Sequence, residues 1–138
     1  MTAIDTNVVV RFLTRDDEDQ FQKALALFNR DTVHIPDTVW LETEWVLRFA
    51  YGYDPAAVTK AFRELLGLPQ VRVADTARLL LAVQWHVVGL DFADAMHLAS
   101  SQDMVTLATF DKAFARNSAT LGVCRVVDLS ATQATLPE

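Results

Sequence analysis

Four carboxylates lie at positions from which they could act together, although they are far apart along the chain. Asp5 and Asp111 each follow a short, apolar, β-prone stretch, while Asp94 and Glu42 each lie in an early turn of a predicted helix. In an open parallel sheet, ligands bind beyond the carboxyl ends of the strands. We therefore expect Asp5 and Asp111 to point towards that edge, with Asp94 and Glu42 as candidates to join them.

Carboxylates gathered at one edge would repel one another unless a cation neutralised them. Hard divalent cations such as Mg²⁺ prefer carboxylate and water oxygens as ligands. Such ions can orient a water, lower its pKa and stabilise an in-line displacement at phosphorus. The four acids therefore favour hydrolysis of a phosphodiester as the chemistry of the site.

Glu42 is the carboxylate whose side-chain direction the sequence pattern addresses. Glu42, Val46 and Phe49 share one helical face by their spacing, so we expect Glu42 to interrupt an inward-facing apolar stripe. A carboxylate that borders the core needs a partner, because burying it unpaired is costly. No basic residue stands out as that partner, which again favours a cation.

Each acid also has a purely structural interpretation, and the spacing alone leaves it open. Asp5 and Asp111 are suited to cap the helices that follow them, and Asp91 with Asp94 resembles a capping pair at a helix start. Glu42 would be an ordinary solvated residue if its helical face pointed outwards.

The elements that must position these acids alternate along the chain. Strands are predicted over residues 2–4, 33–35, 71–74, 104–108 and 124–127, and helices over 6–13, 16–30, 38–50, 54–67, 75–88, 91–102 and 111–119. The helix at 75–88 is apolar almost all round, so we expect it to be deeply buried. The alternation predicts an α/β protein with a three-layer α/β/α fold and a short, mainly parallel central sheet.

Length and composition fit one globular domain over residues 1–138, because 51% of the residues are hydrophobic and 22% are charged. A net charge of −6 argues against binding nucleic acid by bulk electrostatics, but clustered acids that bind cations would still handle phosphate. No apolar run approaches the ~20 residues that span a bilayer. Cys124 is the single cysteine, which excludes an internal disulfide and favours a reducing, cytoplasmic location.

Four segments carry a resemblance to a known family. They are MTAIDTNVVVRFL at 1–13, LETEWVLR at 41–48, DFADAMHLA at 91–99 and LATFDKAF at 107–114. Together they resemble PIN-domain ribonucleases, specifically the VapC-type toxins of bacterial toxin–antitoxin pairs. The segments span the chain in the order that the family has.

The resemblance implies a metal-dependent endoribonuclease that serves as the toxin of a type II toxin–antitoxin system. Its catalytic quartet carries over to Asp5, Glu42, Asp94 and Asp111. Asp5, Asp94 and Asp111 are expected to ligate Mg²⁺, for which Mn²⁺ can substitute, while Glu42 completes the site or orients the water. The implied partners are an RNA substrate, a cognate antitoxin and a second copy in a homodimer, with no membrane.

The resemblance also suggests residues around the quartet. Thr6, Asn7 and Thr109 are expected to fix the carboxylate rotamers, although Thr6 and Thr109 would serve equally well as turn residues. Asp91, a fifth acid, is predicted first as a helix cap.

Basic residues near the acidic segments are candidates to contact RNA phosphates. They are Arg11, Arg15, Arg48, Lys112 and Arg116, of which Lys112 and Arg116 are preferred, and solvated charges are the alternative for all five. His97 shares a helical face with Asp94, and we predict a partly buried, hydrogen-bonded histidine there in preference to a ligand. Trp45 and Phe49 belong to an aromatic group that either enters the core or binds a partner.

Three other functions compete with a nuclease. A phosphatase of the haloacid-dehalogenase type would want a second aspartate two positions after Asp5, where Asn7 stands. A receiver-like, protein-binding module would need paired acids and a strand-end lysine in an order that this sequence lacks. A catalytically inactive PIN fold would act through protein contacts alone, but all four expected acids are present.

Overall fold

Helices and short parallel strands alternate in the computed structural model, which describes residues 1–130. The strands are β1 (Thr2–Ala3), β2 (Val33–His34), β3 (Val71–Arg72), β4 (Thr106–Thr109) and β5 (Arg125–Asp128). The helices are α1 (Thr6–Thr14), α2 (Glu18–Arg30), α3 (Asp37–Tyr51), α4 (Pro55–Leu66), α5 (Thr76–Val87), α6 (Phe92–Ala99) and α7 (Lys112–Asn117). The predicted α/β class, with parallel strands, is confirmed.

The chain forms two compact units, the first spanning Met1–Thr76 and the second beginning at Ala77. The first unit holds a sheet in the order β1-β2-β3, and the second holds the pair β4-β5. All neighbouring strands run parallel. The single domain over residues 1–138 stays a prediction.

The strands of the first unit are shorter than predicted, but their hydrogen bonding continues past their ends. The amide of Ile4 donates to the carbonyl oxygen of His34 at 3.1 Å. The amide of Ile35 donates to the carbonyl oxygen of Arg72 at 2.9 Å. The apolar residues at 4 and 35 therefore belong to the sheet in their bonding, which is why the sequence pattern extended the strands to them.

Aromatic side chains fill the core of the first unit. Trp40 of α3 meets Phe62 of α4 edge-on, with ring centroids 4.9 Å apart. Phe12 of α1 stacks on Phe28 of α2 at 4.1 Å. These contacts fix α1, which begins directly after Asp5, and α3, which carries Glu42.

The inward face of α3 differs from the prediction. Glu42 and Phe49 are exposed, and the buried face instead includes Trp40, Glu44 and Leu47. The pattern misled because a carboxylate lies on each side of Thr43, and the spacing of apolar residues did not decide which one pointed inwards. The expected inward stripe through Glu42 is therefore wrong.

In the second unit, α5 is only partly buried. Leu79, Ala82 and Val83 are at most 1% exposed, whereas Leu80 and Val87 are 43% and 41% exposed. An apolar helix surface that reaches solvent contradicts the expectation of deep burial all round. Its buried side still gives the second unit its core, together with Phe92 and Leu98 of α6.

The start of α2 also differs from the predicted residue 16. Asp17 caps α2 by accepting the amide hydrogen of Gln20 at 3.0 Å. Asp16 is engaged elsewhere, because its carboxylate accepts from the Tyr51 hydroxyl at 2.5 Å and from Arg11 at 3.1 Å.

Within residues 1–130, no helix is both long and apolar enough to cross a membrane.

Candidate active site

Asp5 lies just beyond the carboxyl end of β1, at the start of α1. Its Oδ1 accepts the amide hydrogen of Val8 at 3.2 Å, so Asp5 caps the helix. The cap engages one carboxylate oxygen and leaves Oδ2 outside that bond. Asp5 is exposed, which keeps this second oxygen accessible to a ligand.

The two residues after Asp5 have different surroundings. Thr6 is 7% exposed, and Asn7 is exposed at the surface. Neither side chain forms a hydrogen bond to Asp5 among the residues that the structure describes. Their expected role in fixing a carboxylate rotamer therefore stays a prediction.

A cleft of about 390 Å³ opens beside Asp5 within the first unit. Apolar side chains of α1 and α2 form part of its wall, and polar or charged groups surround them. The lining residues are Asp5, Asn7, Val8, Arg11, Gln20, Lys23, Ala24 and Leu27.

The acid that α3 buries is Glu44, and its partner is Arg48. The Glu44 side chain is 4% exposed, and Arg48 Nε donates to its Oε2 at 2.9 Å. A second bond joins Arg48 Nη2 to Oε1 at 3.2 Å, giving a bidentate pair. The acid of α3 that faces inwards is thus Glu44, which has a basic partner, and Glu42 is exposed.

Two neighbouring acids of the second unit act electrostatically on Asp94. Burial raises the pKa of Asp94, and the charges of Asp91 and Asp111 raise it further, while His97 acts in the opposite direction. Asp91 also caps α6 by accepting the amide hydrogen of Asp94 at 3.3 Å, as predicted. Over the described range of the chain, the carboxylate of Asp94 accepts no hydrogen bond, so its charge has acidic neighbours and no donor.

Asp111 is held on both sides by local hydrogen bonds. Its Oδ1 accepts the amide hydrogen of Phe114 at 3.0 Å and caps α7. Its own amide donates to Thr109 Oγ1 at 3.0 Å. Thr109 therefore fixes the backbone of Asp111, whereas the helix cap fixes its carboxylate.

Asp128 is an acid at this edge that the sequence analysis missed. It pairs in register with Thr109 at the carboxyl ends of β5 and β4. The side chain and amide of Ser130 bind its carboxylate at 2.5 and 2.8 Å, and these bonds lower the pKa of Asp128, with a smaller contribution from Lys112. The only available signal was its place at the end of the last predicted strand.

Three of the five candidate RNA-binding cations are engaged within the protein. Arg11 binds Asp16, Arg15 binds Glu18, and Arg48 binds Glu44, each at 3.1 Å or less. Lys112 and Arg116 are exposed, and neither forms an ion pair with any residue up to 130. The expected contact of Lys112 and Arg116 with RNA phosphates stays a prediction.

The remaining candidates have structural roles or none. His97 is exposed, so the expectation of a partly buried, hydrogen-bonded histidine is wrong; the buried one is His86, whose Nδ1 lies 2.8 Å from the carbonyl oxygen of Leu90. Cys124 is buried, and burial raises the pKa of its thiol, which argues against a nucleophile.

Residues 1–130 contain no group of three or more His, Cys, Asp or Glu side chains placed so that they could hold a metal ion. The chemistry of the donors nevertheless fits a hard cation, since Asp5, Asp94 and Asp111 offer only carboxylate oxygens. Asp94, half-buried among like charges, is the group that such a cation would relieve most. Asp5 and Glu42 belong to the first unit and the other two acids to the second. The meeting of all four stays a prediction.

Asp5 and Asp111 are exposed carboxylates beyond the carboxyl ends of parallel strands, the edge at which α/β folds bind ligands. Comparison of the sequence with protein families identifies the PIN domain, which matches residues 2–119. The chain therefore belongs to the PIN-domain family, and this membership suggests nuclease activity in general terms. No protein with a curated description matches the chain.

Proposed function

We propose that this protein is a metal-dependent endoribonuclease that hydrolyses RNA phosphodiester bonds. The observation that carries the proposal is the PIN-domain match over residues 2–119, because this range contains Asp5, Glu42, Asp94 and Asp111. PIN domains are generally metal-dependent nucleases.

In this proposal Asp5, Asp94 and Asp111 hold Mg²⁺ or Mn²⁺, directly or through water. Bound at these oxygens, the ion supplies an activated water and stabilises the negative charge that grows on the phosphate. The helix caps support the arrangement, because they fix Asp5 and Asp111 through one oxygen and leave the other outside the cap.

Other side chains bind and orient the substrate. Glu42, exposed on α3, completes the acidic set or orients the attacking water. Lys112 and Arg116 lie in the helix that Asp111 caps. Exposed cations that pair with no acid up to residue 130 can neutralise backbone phosphates of the RNA. Thr6, Asn7 and Asp91 adjoin the ligands and are proposed to support their positions.

Cleavage of labelled bacterial RNA tests the nuclease. We expect cutting with Mg²⁺ or Mn²⁺, none with chelator, and none from Asp94→Asn prepared in the same way. Equal cutting by the variant would trace the activity to a contaminant. The absence of cutting under every condition, with a melting temperature that metal does not change, would favour the alternative of a catalytically inactive PIN fold that binds proteins. A receiver-like module gains no support from the family comparison.

We also propose that the ribonuclease is the toxin of a type II toxin–antitoxin pair, on the strength of the four VapC-like segments. Induced expression in bacteria is expected to arrest growth, and Asp94→Asn at matched protein level is expected to permit it. Growth arrest by both the wild type and Asp94→Asn would refute a toxin that acts through its nuclease site.

The proposed protein partners are an antitoxin and a second copy of the chain. Trp45 and Phe49 support a protein contact, because these neighbouring aromatic side chains are 56% and 62% exposed. Sedimentation of the wild type is expected to give a dimer. A monomer across the accessible concentration range would refute the homodimer and leave the nuclease untouched. The proposed location is the cytoplasm, where RNA and antitoxin would meet.

A further inference from the structure

Phe110 is a large aromatic residue that the structure leaves in solvent directly beside a proposed metal ligand. It follows Thr109, the last residue of β4, and precedes Asp111. The side chain is 75% exposed, and Phe110 forms no aromatic pair within residues 1–130. A single exposed apolar residue is ordinary, so its position has to carry the argument.

The position is unusual among the exposed apolar residues of β4, β5 and their flanks. Met104, Val105 and Val123 are also exposed, but they precede the ladder that starts at Thr106 and Arg125. Those three therefore lie towards the amino ends of the two strands. Phe110 alone among these four follows a carboxyl end, which is also where Asp111 lies.

The backbone around Phe110 is held rigidly on both sides. The Thr109 carbonyl accepts the amide hydrogen of Leu129 at 2.7 Å, and Thr109 Oγ1 accepts that of Asp111 at 3.0 Å. The carboxylate of Asp111 in turn caps α7 through Phe114. A turn held in this way loses little backbone freedom when a flat ligand packs against its side chain.

Two exposed cations without ion-pair partners in the described chain, Lys112 and Arg116, follow Phe110 within six residues. Sites for single-stranded nucleic acid combine such cations with aromatic faces, on which bases stack. An exposed aromatic ring on a hydrogen-bonded turn, two exposed cations without an ion pair in the described chain and a carboxylate site for phosphate chemistry together favour a nucleobase over an apolar protein side chain as the occupant.

We propose that Phe110 is a substrate-positioning residue, whose ring stacks on an unpaired base of the RNA next to the phosphate that is cut. This inference rests on the proposed ribonuclease function. It predicts that the RNA must be single-stranded at the cleavage site. It also predicts that affinity depends on the aromatic ring at residue 110 with little dependence on the identity of the base.

The test is binding of a fluorescein-labelled, unstructured RNA of about 12 nucleotides. Fluorescence anisotropy is measured in the Asp94→Asn background, so that the probe survives. Phe110→Ala is expected to weaken binding about 5- to 100-fold, Phe110→Leu nearly as much, and Phe110→Trp not at all. In the active protein, Phe110→Ala is expected to raise KM by a similar factor, with a smaller effect on kcat.

Val123→Ala is the matched control, because Val123 is 83% exposed in the same unit but near the opposite ends of the strands. We expect this variant to bind like its parent, and all variants at 110 to keep the parent's melting temperature. If the proteins with Phe, Leu or Ala at 110 bound RNA equally while the wild type still cleaved it, the stacking role would be wrong and the proposed ribonuclease function would stand. A loss of dimer in Phe110→Ala without a loss of RNA binding would also overturn the stacking role and would assign the ring to a protein contact. If the wild type neither bound nor cut RNA, the proposed function itself would fail.

Discussion

Single aspartates in this protein meet two demands at once. Asp5 and Asp111 each cap a helix through Oδ1, and each is also a proposed metal ligand. The two roles are compatible because a cap needs one acceptor oxygen, whereas a cation gains from the charge and from the second oxygen. The structural interpretation of these residues is therefore true without excluding the functional one.

This double role predicts that two substitutions of Asp5 will separate folding from activity. Asp5→Asn retains a good cap and is expected to melt like the wild type, while Asp5→Ala is expected to lose about 0.5–2 kcal/mol of unfolding free energy. Both are expected to abolish cleavage. Denaturant unfolding and the RNA assay measure the two effects, and an active Asp5→Asn would remove Asp5 from the metal site.

Glu44 and Arg48 allow a prediction about stability that is independent of function. Arg48→Met would leave the 4%-exposed Glu44 side chain without its bidentate partner, which is expected to cost about 1–3 kcal/mol. Lys60→Met is the control, because the exposed Lys60–Glu64 pair is 3.9 Å apart and contributes at most about 0.5 kcal/mol. Chemical denaturation measures both losses of unfolding free energy. Equal losses for Arg48→Met and Lys60→Met would show that the buried pair stabilises the fold no more than the exposed pair does.

At the scale of elements, the sequence predicted the order and type of every helix and strand in the described chain. Gly, Pro and Asp at the boundaries explain this success, since caps such as Asp54 before Pro55 act locally. The direction in which each side chain points was harder to predict. Glu42 and Glu44 are separated only by Thr43, and the tertiary contact with Arg48 that keeps Glu44 inside is not visible in a periodicity.

The end of α3 gives a prediction at this scale. Gly52 ends the helix at φ 70°, where its amide donates to the carbonyl of Leu47. Gly52→Ala is expected to destabilise the protein by about 1–2 kcal/mol, because a Cβ disfavours this conformation, although no heavy atom lies within 4 Å of its position. Gly52→Asn is expected to cost less, since Asn visits the left-handed region more readily. Thermal melts of the wild type and both variants measure these differences. Equal melting temperatures for all three proteins would show that the left-handed conformation at residue 52 costs a Cβ-bearing residue nothing.

For the molecule as a whole, the accumulation of negative charge matters as much as any contact. The net charge is −6, and in the second unit the charges of Asp91 and Asp111 raise the pKa of Asp94, while His97 acts in the opposite direction. The sequence predicted that acids would gather at strand ends, because parallel strands share one direction. It did not predict Asp128 or Phe110, whose importance depends on the register of β4 with β5 and on exposure.

Metal binding should therefore change the stability of the whole protein. Mg²⁺ is expected to raise the melting temperature of the wild type, because a ligand that binds only the native state stabilises it. Asp94→Asn removes a repelling charge, so without metal it is expected to be at least as stable as the wild type, and Mg²⁺ is expected to leave it unchanged. A metal-free variant that melts well below the wild type would show that Asp94 stabilises the fold.

The helix caps at Asp5 and Asp111 also have a genetic consequence. A single nucleotide change converts an aspartate codon to one for asparagine, and asparagine is an equally good cap. Selection against the activity could thus silence the protein in one mutational step at either position, with almost no loss of stability to purge the allele. Under the proposed function, alleles of this kind would still produce a folded but inactive protein, whereas deletions would produce none.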